Sequence, residues 1–453
     1  MNEKTRMVLS VALLISGIAL GVATGVLAES PEKIQAQGTV IDFSEYDTKW
    51  TNADLSDYQT SIDLLRYACG ENGFELVVDD SGDVTEINGI GKGGEWALWG
   101  MESGSSNWTK LSSPYNQDPS KYIVTSWTFS SDGREPTVAI DYSGNPIYGY
   151  VQKYRVVSLS PTVTEILCSV KADNIIVGVD QYSNYPQSVV DGKKDGSISV
   201  VGTYTNPSFE LITGTNPDMV VCDGSQTSHV QLADRLRGVG IDAIVIYPGE
   251  DITSVLNNIY SVGVSIKYEL AGMQVINETE EVIDRLAEKT SSTQAGEPVD
   301  AMISLEPDIS PWVSGSGTYL DGIVTSMNAN NVFSNWYGWV HITSDRIPYE
   351  NPEVIIIVTT EYKATQEEYD YLYDSLSPQW KQTDAWKEGR VYVICEGAAE
   401  LVQRSGPRLA QTAEIVSMFL HPDCFDTSLP KIVGDDYVDY LNFSRDLSFL
   451  DRG

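Results

Sequence analysis

The sequence predicts an α/β protein: two similar lobes of alternating strands and helices, joined by one long helix and preceded by a small, β-rich α+β domain. Three observations carry this. From Arg155 onward, short apolar runs alternate with helical periodicity, and the alternation occurs twice. Between the two sets a helical stretch runs from about Ile252 to Lys289, with a break expected near Gly263. Before Thr137 the pattern is different: one helix is followed by short strands separated by Gly, Asn, Asp and Ser.

The N-terminus carries Lys4 and Arg6 and then an uncharged run from Met7 to Ala28. This reads as an export signal, or, since the run is long enough to span a bilayer, as an anchor retained in the membrane. No Cys lies near it, so lipid attachment is not expected. Residues 29–50 read as a polar spacer. In residues 51–135, Ile62, Leu64, Leu65 and Ala68 share a helix face, and strands are expected at Phe74–Val78, Val84–Ile87, Glu95–Trp99 and Tyr122–Phe129. The first lobe, residues 136–262, opens with a hairpin across Ser143-Gly144-Asn145-Pro146. Its strands are Arg155–Leu159, Ile175–Val179, Met219–Cys222 and Ala243–Tyr247, with helices at Thr162–Ser169 and Ser228–Val239. The linking helix, 263–293, is amphipathic through Leu270, Met273, Ile276, Val282, Ile283 and Leu286. The second lobe, 294–425, repeats the pattern with strands at Ala301–Leu305, Val354–Val358 and Val391–Ile394. Residues 426–453 read as a polar tail.

Composition excludes several functions. Sixty-four Asp and Glu against 29 Lys and Arg give a net charge of −35, which repels phosphate backbones, so nucleic acid is not an expected partner. The five cysteines form no CxxC pair; most read as buried free thiols, with one bridge left open. Gly89-Ile90-Gly91-Lys92-Gly93-Gly94 matches a dinucleotide-binding pattern but leads into a strand, not a helix. His229, His341 and His421 are far apart in sequence and form no metal motif. No nucleophile–base pair is evident, and the chain is not expected to be an enzyme.

Several segments occur in a telling order: Arg155-Val156-Val157-Ser158-Leu159-Ser160-Pro161-Thr162-Val163-Thr164-Glu165-Ile166-Leu167, Tyr182-Ser183-Asn184-Tyr185-Pro186, Val201-Gly202-Thr203-Tyr204 and Asn216-Pro217-Asp218-Met219-Val220-Val221. Val313-Ser314-Gly315-Ser316-Gly317-Thr318-Tyr319-Leu320 and Asn351-Pro352-Glu353-Val354-Ile355-Ile356 follow in the second lobe. Over about residues 137–425 the chain resembles the ABC-importer binding proteins for cobalamin, haem and siderophores, and is most similar to the cobalamin binders. The resemblance implies two Rossmann-like lobes with ligand in the cleft between them. It implies a ring-lined pocket from Tyr182, Tyr185, Tyr204, Trp312 and Trp339, with Arg404 donating hydrogen bonds to the ligand. Asp223 stands where the cobalamin binders place another Trp. Glu210 and Asp345 match the two acidic positions that dock such proteins on their permease. His341, beside the cleft segment, is a candidate metal ligand. The N-terminal domain, through Ser61–Leu65, Val84–Ile90 and Glu95–Trp99, resembles the C-terminal domain of transcobalamin and its relatives, which makes Trp99 a candidate ligand contact.

The expected function is therefore non-catalytic capture of a corrinoid such as cobalamin outside the cytoplasm and delivery to an ABC permease with its ATPase. Haem or an iron–siderophore on the same fold is one rival; a surface adhesin with no transport role is another.

Overall fold

The computed structural model describes residues 38–450, apart from 44–47, 103–107, 112–116, 123, 134–135, 137–138, 144–145, 148–152 and 294–297. The N-terminal domain contains β1 (Gly38–Asp42), β2 (Thr48–Asn52), α1 (Ser61–Glu71), β3 (Leu76–Val78), β4 (Val84–Ile87), β5 (Glu95–Met101), β6 (Thr109–Lys110) and β7 (Val124–Ser130). Its sheet has the order β2-β1-β7-β5-β6, while β3 and β4 form a separate hairpin. The stretch expected as a spacer thus supplies two strands, and β1 lies parallel to β7 with Val40 opposite Ser126. Strand alternation sends Ile41, Leu98 and Trp127 to one face, where Leu64, Leu65 and Ala68 of α1 cover them. Thr60 caps α1 by accepting the Asp63 N–H. Val40 and Trp99 lie on the opposite face.

The expected hairpin follows as β8 (Ala139–Ile140) and β9 (Pro146–Ile147). The first lobe contains β10 (Val156–Ser158), α2 (Pro161–Ser169), β11 (Ile176–Val179), α3 (Gln187–Asp195), β12 (Ser199–Val200), β13 (Gly202–Thr203), β14 (Asn206–Pro207), α4 (Phe209–Gly214), β15 (Met219–Asp223), α5 (Thr227–Arg237) and β16 (Asp242–Ile246). Its main sheet has the order β12-β11-β10-β15-β16, with neighbouring strands parallel. All five residues of β15 are buried, as expected of a parallel strand covered on both faces.

The link between the lobes is two helices, α6 (Ile252–Ile266) and α7 (Glu269–Thr293). The break falls at Lys267, whose φ of 67° ends α6, rather than at Gly263. Gly263 serves another purpose: a Cβ there would lie 3.0 Å from the Tyr268 carbonyl oxygen, so its bare backbone lets the chain fold back closely. Asp251 and Ser254 form a reciprocal capping box at the start of α6.

The second lobe contains β17 (Val299–Ser304), β18 (Trp312–Ser314), α8 (Tyr319–Ser326), β19 (Ala329–Asn331), β20 (Trp339–His341), α9 (Arg346–Glu350), β21 (Val354–Val358), α10 (Gln366–Ser375), α11 (Asp384–Lys387), β22 (Val391–Ile394), α12 (Glu396–Gln403), α13 (Leu409–Leu420) and β23 (Ile432–Val433). The sheet order is β20-β18-β17-β21-β22-β23, with β19 also on β17. All twelve residues of α13 are buried.

The segment expected as a featureless tail is built in. Strand β23 extends the second sheet. Leu441, Leu447 and Phe449 enter the large core that runs through α6, α7 and α13. The buried Glu414 carboxylate accepts the backbone N–H groups of Asn442 (2.6 Å), Phe443 (3.0 Å) and Ser444 (2.8 Å) and the Ser444 hydroxyl (2.7 Å). Beyond these, Ser448 donates its N–H to Glu278 on α7 (2.7 Å), and its carbonyl accepts Lys171 Nζ from the first lobe (3.3 Å). The tail is a strap running from the second lobe across α7 to the first.

Candidate functional site

Parallel strands deliver their following loops to one edge, so each sheet presents a set of loops at its carboxyl end. Three contacts place the two edges face to face. Gly249, after β16, has φ of 75°, and a Cβ there would lie 2.5 Å from Ser405 of the second lobe. Glu250 accepts a hydrogen bond from the hydroxyl of Tyr337, between β19 and β20. The third contact is a buried ion network.

Glu165 lies in α2 of the first lobe and is 2% exposed. It accepts from Arg404 Nη1 at 2.5 Å, Arg408 Nε at 2.8 Å and Arg408 Nη2 at 2.7 Å, both arginines belonging to the second lobe. Arg404 also donates to Asn184 Oδ1 at 2.9 Å and lies 3.8 Å from Glu400. Burial pushes the Glu165 carboxyl up, but the two guanidiniums outweigh it and hold the group below its ordinary value. The same carboxylate raises Arg408 well above its own. Arg404 is therefore an inter-lobe lock, and its expected role as a donor to ligand is corrected: the guanidinium is 1% exposed and engaged by protein acceptors.

The ring residues separate into two groups. Tyr204 and Asp223 are corrected. Tyr204 is fully enclosed, with its hydroxyl on Ser225 (2.5 Å) and its ring against His229 (5.4 Å). Asp223 is 7% exposed; it accepts the Ser225 N–H (3.0 Å) and hydroxyl (2.6 Å), and so shapes the turn after β15. His229, which nothing in the sequence singled out for this, ties them together. Its Nδ1 accepts the Asp223 N–H at 3.0 Å, which leaves Nε2 to donate to the Tyr204 carbonyl at 2.6 Å. Burial depresses its pKa, consistent with that neutral tautomer. Tyr185 lies under the Arg408 guanidinium, 4.1 Å from it. It lines a cavity of about 210 Å³ between α2, Pro407–Arg408 and Phe449–Leu450 of the strap.

The second group stays at the facing edges. Tyr182 is half-buried, its loop held by Asp180, which accepts the Tyr182 N–H at 2.8 Å. Burial raises the Asp180 carboxyl to about 6, with Ser183 opposing the rise. In the second lobe, β18 and β20 pair Trp312 with His341 and Ser314 with Trp339, so Trp312, Trp339 and His341 share one sheet face. Trp312 and His341 are 5.3 Å apart, and the buried Trp312 Nε1 has no hydrogen-bond partner. His341 is exposed, and no group of three or more metal-binding side chains occurs among the described residues.

Trp99 is corrected too. The register places it opposite Ser126, which neighbours Val40, and Val40 belongs to the core through α6 and α7. Asp42, on the same face, acts electrostatically on Tyr260 of α6. Trp99 is 6% exposed on the sheet face turned to the linking helices, not to the loop edges.

The two acids matched to docking positions are both on the surface. The Glu210 side chain is 78% exposed in the first turn of α4, 3.7 Å from Arg235, with Leu211 exposed beside it. Asp345 precedes α9 and is fully exposed; the Thr343 hydroxyl lowers its pKa.

The family model for periplasmic binding proteins matches residues 156–396. A Bacillus subtilis protein described as an uncharacterized ABC transporter substrate-binding lipoprotein, YvrC, is 24% identical over 291 residues, covering 64% of this chain and 87% of its own length. The vitamin B12-binding protein of Yersinia pseudotuberculosis is 22% identical over 209 residues, which is 46% of this chain and 70% of the relative. Among solved structures, a periplasmic heme binding protein from Pseudomonas aeruginosa has a TM-score of 0.52, covering 62% of this chain and 96% of that one at 18% identity, a likeness of fold.

Proposed function

Because the chain belongs to the periplasmic binding protein family, we propose that it captures a corrinoid outside the cytoplasm and hands it to an ABC permease with its ATPase, catalysing no reaction. The observation that carries this is the apolar, ring-bearing wall of the second lobe, with the half-buried Trp312 and Trp339 on one sheet face. Flat rings bury much area at little rotamer cost, which suits a large macrocycle. The relatedness to vitamin B12-binding proteins supports the same ligand class. Glu210 and Asp345 are assigned to permease docking: each is an exposed charge, one on each lobe, so each lobe is gripped separately. Export by the N-terminal segment, cleaved or kept as an anchor, belongs to this reading; residues 1–28 lie outside the described residues. Among the described residues, no helix is long and apolar enough to cross a membrane.

The test is retention. Purified protein is incubated with cyanocobalamin or with haem and gel-filtered, and the spectrum of the protein peak is read. Co-elution of the corrin bands is the expected result. A peak carrying haem and no corrinoid refutes the ligand assignment.

A further inference from the structure

The facing edges are unusual in charge. Of the second lobe's cleft-side groups, Arg404 is consumed by Glu165 and Asn184, and Arg408 by Glu165. Carboxylates remain. Strands β17 and β21 are adjacent and parallel, with Ser304 opposite Ile357, so Glu306 and Glu361 both lie in the loops that leave the carboxyl ends of neighbouring strands, near enough for the Glu361 charge to act on Glu306. Glu306 is held at the ring wall, because the Trp312 N–H donates to its carboxylate. The other charges that reach it are Asp308, Glu361 and His341, with no Lys or Arg among them. Burial, then Asp308, raises the Glu306 carboxyl. A half-buried carboxylate near a second one, with no Lys or Arg among the charges that reach it, is left short of hydrogen-bond donors.

We infer that Glu306 and Glu361 determine specificity by accepting hydrogen bonds from N–H groups of the ligand, so that the cleft takes an amide-bearing macrocycle and rejects one bearing carboxylates. This rests on the corrinoid reading above. A corrinoid carries primary amides around its ring, each with two N–H donors, whereas haem carries two propionates. Amide N–H groups satisfy the two carboxylates; propionates meet them as like charges, with no guanidinium among the described residues acting on Glu306 to compensate. The unpartnered Trp312 Nε1 adds one donor at the same wall, available to an amide carbonyl.

The experiment uses cyanocobalamin and its monocarboxylic acid derivatives, in which one side-chain amide is hydrolysed. Affinities are measured by titration at pH 7 for the full-length protein and for Glu306→Gln/Glu361→Gln. At least one acid derivative is expected to bind about tenfold more weakly than the parent to wild type, and to recover most of that loss on the double variant, because removing the like charge removes the repulsion. Thermal unfolding of the double variant, unchanged or raised, shows that the fold persists. If every derivative binds wild type as tightly as the parent, the specificity inference is overturned while the corrinoid reading stands. If wild type retains no corrinoid at all, the reading falls and takes the inference with it.

Discussion

Replacing Glu165 by Gln tests the inter-lobe lock directly. Gln keeps the shape and one acceptor oxygen but removes the charge that both arginines share. Arg404 is 3% exposed and Arg408 6%, so the variant leaves two buried cations without the carboxylate they share, Arg404 keeping only Glu400 at 3.8 Å. Breaking a buried pair in this way costs about 3–5 kcal/mol. At about 2–4 °C per kcal/mol for a domain of this size, the melting temperature of the two-lobed body should fall by about 6–20 °C. The assay is thermal unfolding followed by circular dichroism. The triple variant Glu165→Met/Arg404→Met/Arg408→Met, which removes the charges together, should regain much of the loss. The sign with pH is fixed by the depressed carboxyl of Glu165. A lowered acid contributes stability that is present above its unfolded pKa of about 4.3 and lost as pH falls through the folded value, so wild type should lose this increment in acid and the Gln variant should not. A Gln variant melting within about 2 °C of wild type would refute the reasoning.

Three further outcomes are expected. Glu280 on α7 is raised to about 7 by burial and by Asp284, so its folded form holds a proton; the stability this provides is present below the unfolded pKa and lost as pH rises through 7. Glu280→Gln should flatten the decline in urea midpoint between pH 5 and 8, about 2 kcal/mol in all, and an unchanged decline would count against it. Glu414→Gln weakens four hydrogen bonds that bind the strap and should expose residues 441–450 to limited proteolysis, at a cost of about 2 kcal/mol; a digestion pattern like wild type would contradict the strap. Glu210→Ala and Asp345→Ala should each lower permease association about tenfold and leave ligand capture unchanged, as measured with reconstituted transporter; full transport by the double variant would remove both from docking.

Much of the architecture was legible because it is local. Val354–Val358 is a continuous apolar run after Asn351-Pro352, and a strand buried on both faces reads that way. What escaped is non-local. Arg404 and Arg408 lie at the two ends of the turn between α12 and α13, but their partner lies 239 and 243 residues earlier, and nothing in the sequence pairs them. Tyr182 and Tyr204 look alike as loop tyrosines; only the packing of His229 and Ser225 encloses the second. Alternation in β5 put Trp96 and Trp99 on opposite faces, but not what covers the second face. The strap hid for a related reason: Leu441, Leu447 and Phe449 follow no period, since each is placed by the core it enters rather than by an element of its own.

The lock and the proposed selectivity turn on the same residue. Several ties join the lobes, among them the Glu165 network, the Tyr337–Glu250 hydrogen bond, the folded-back pair α6 and α7, and the strap through Ser448. Lobes so held have little freedom to close, and affinity must come from walls already in place. Glu165 takes up both arginines, and no Lys or Arg is among the charges that reach Glu306 at the ring wall. Were Arg404 free, its fork would offer a carboxylate the two-point contact that guanidinium makes best, and the cleft would suit a propionate-bearing ring. By spending that charge between the lobes, the chain stiffens its hinge and at the same time leaves Glu306 and Glu361 to set the sign of what binds. The Glu165→Gln variant should therefore change two properties together, loosening the body and relaxing the discrimination against carboxylates. A variant that lost stability yet kept its discrimination intact would separate the lock from the selectivity.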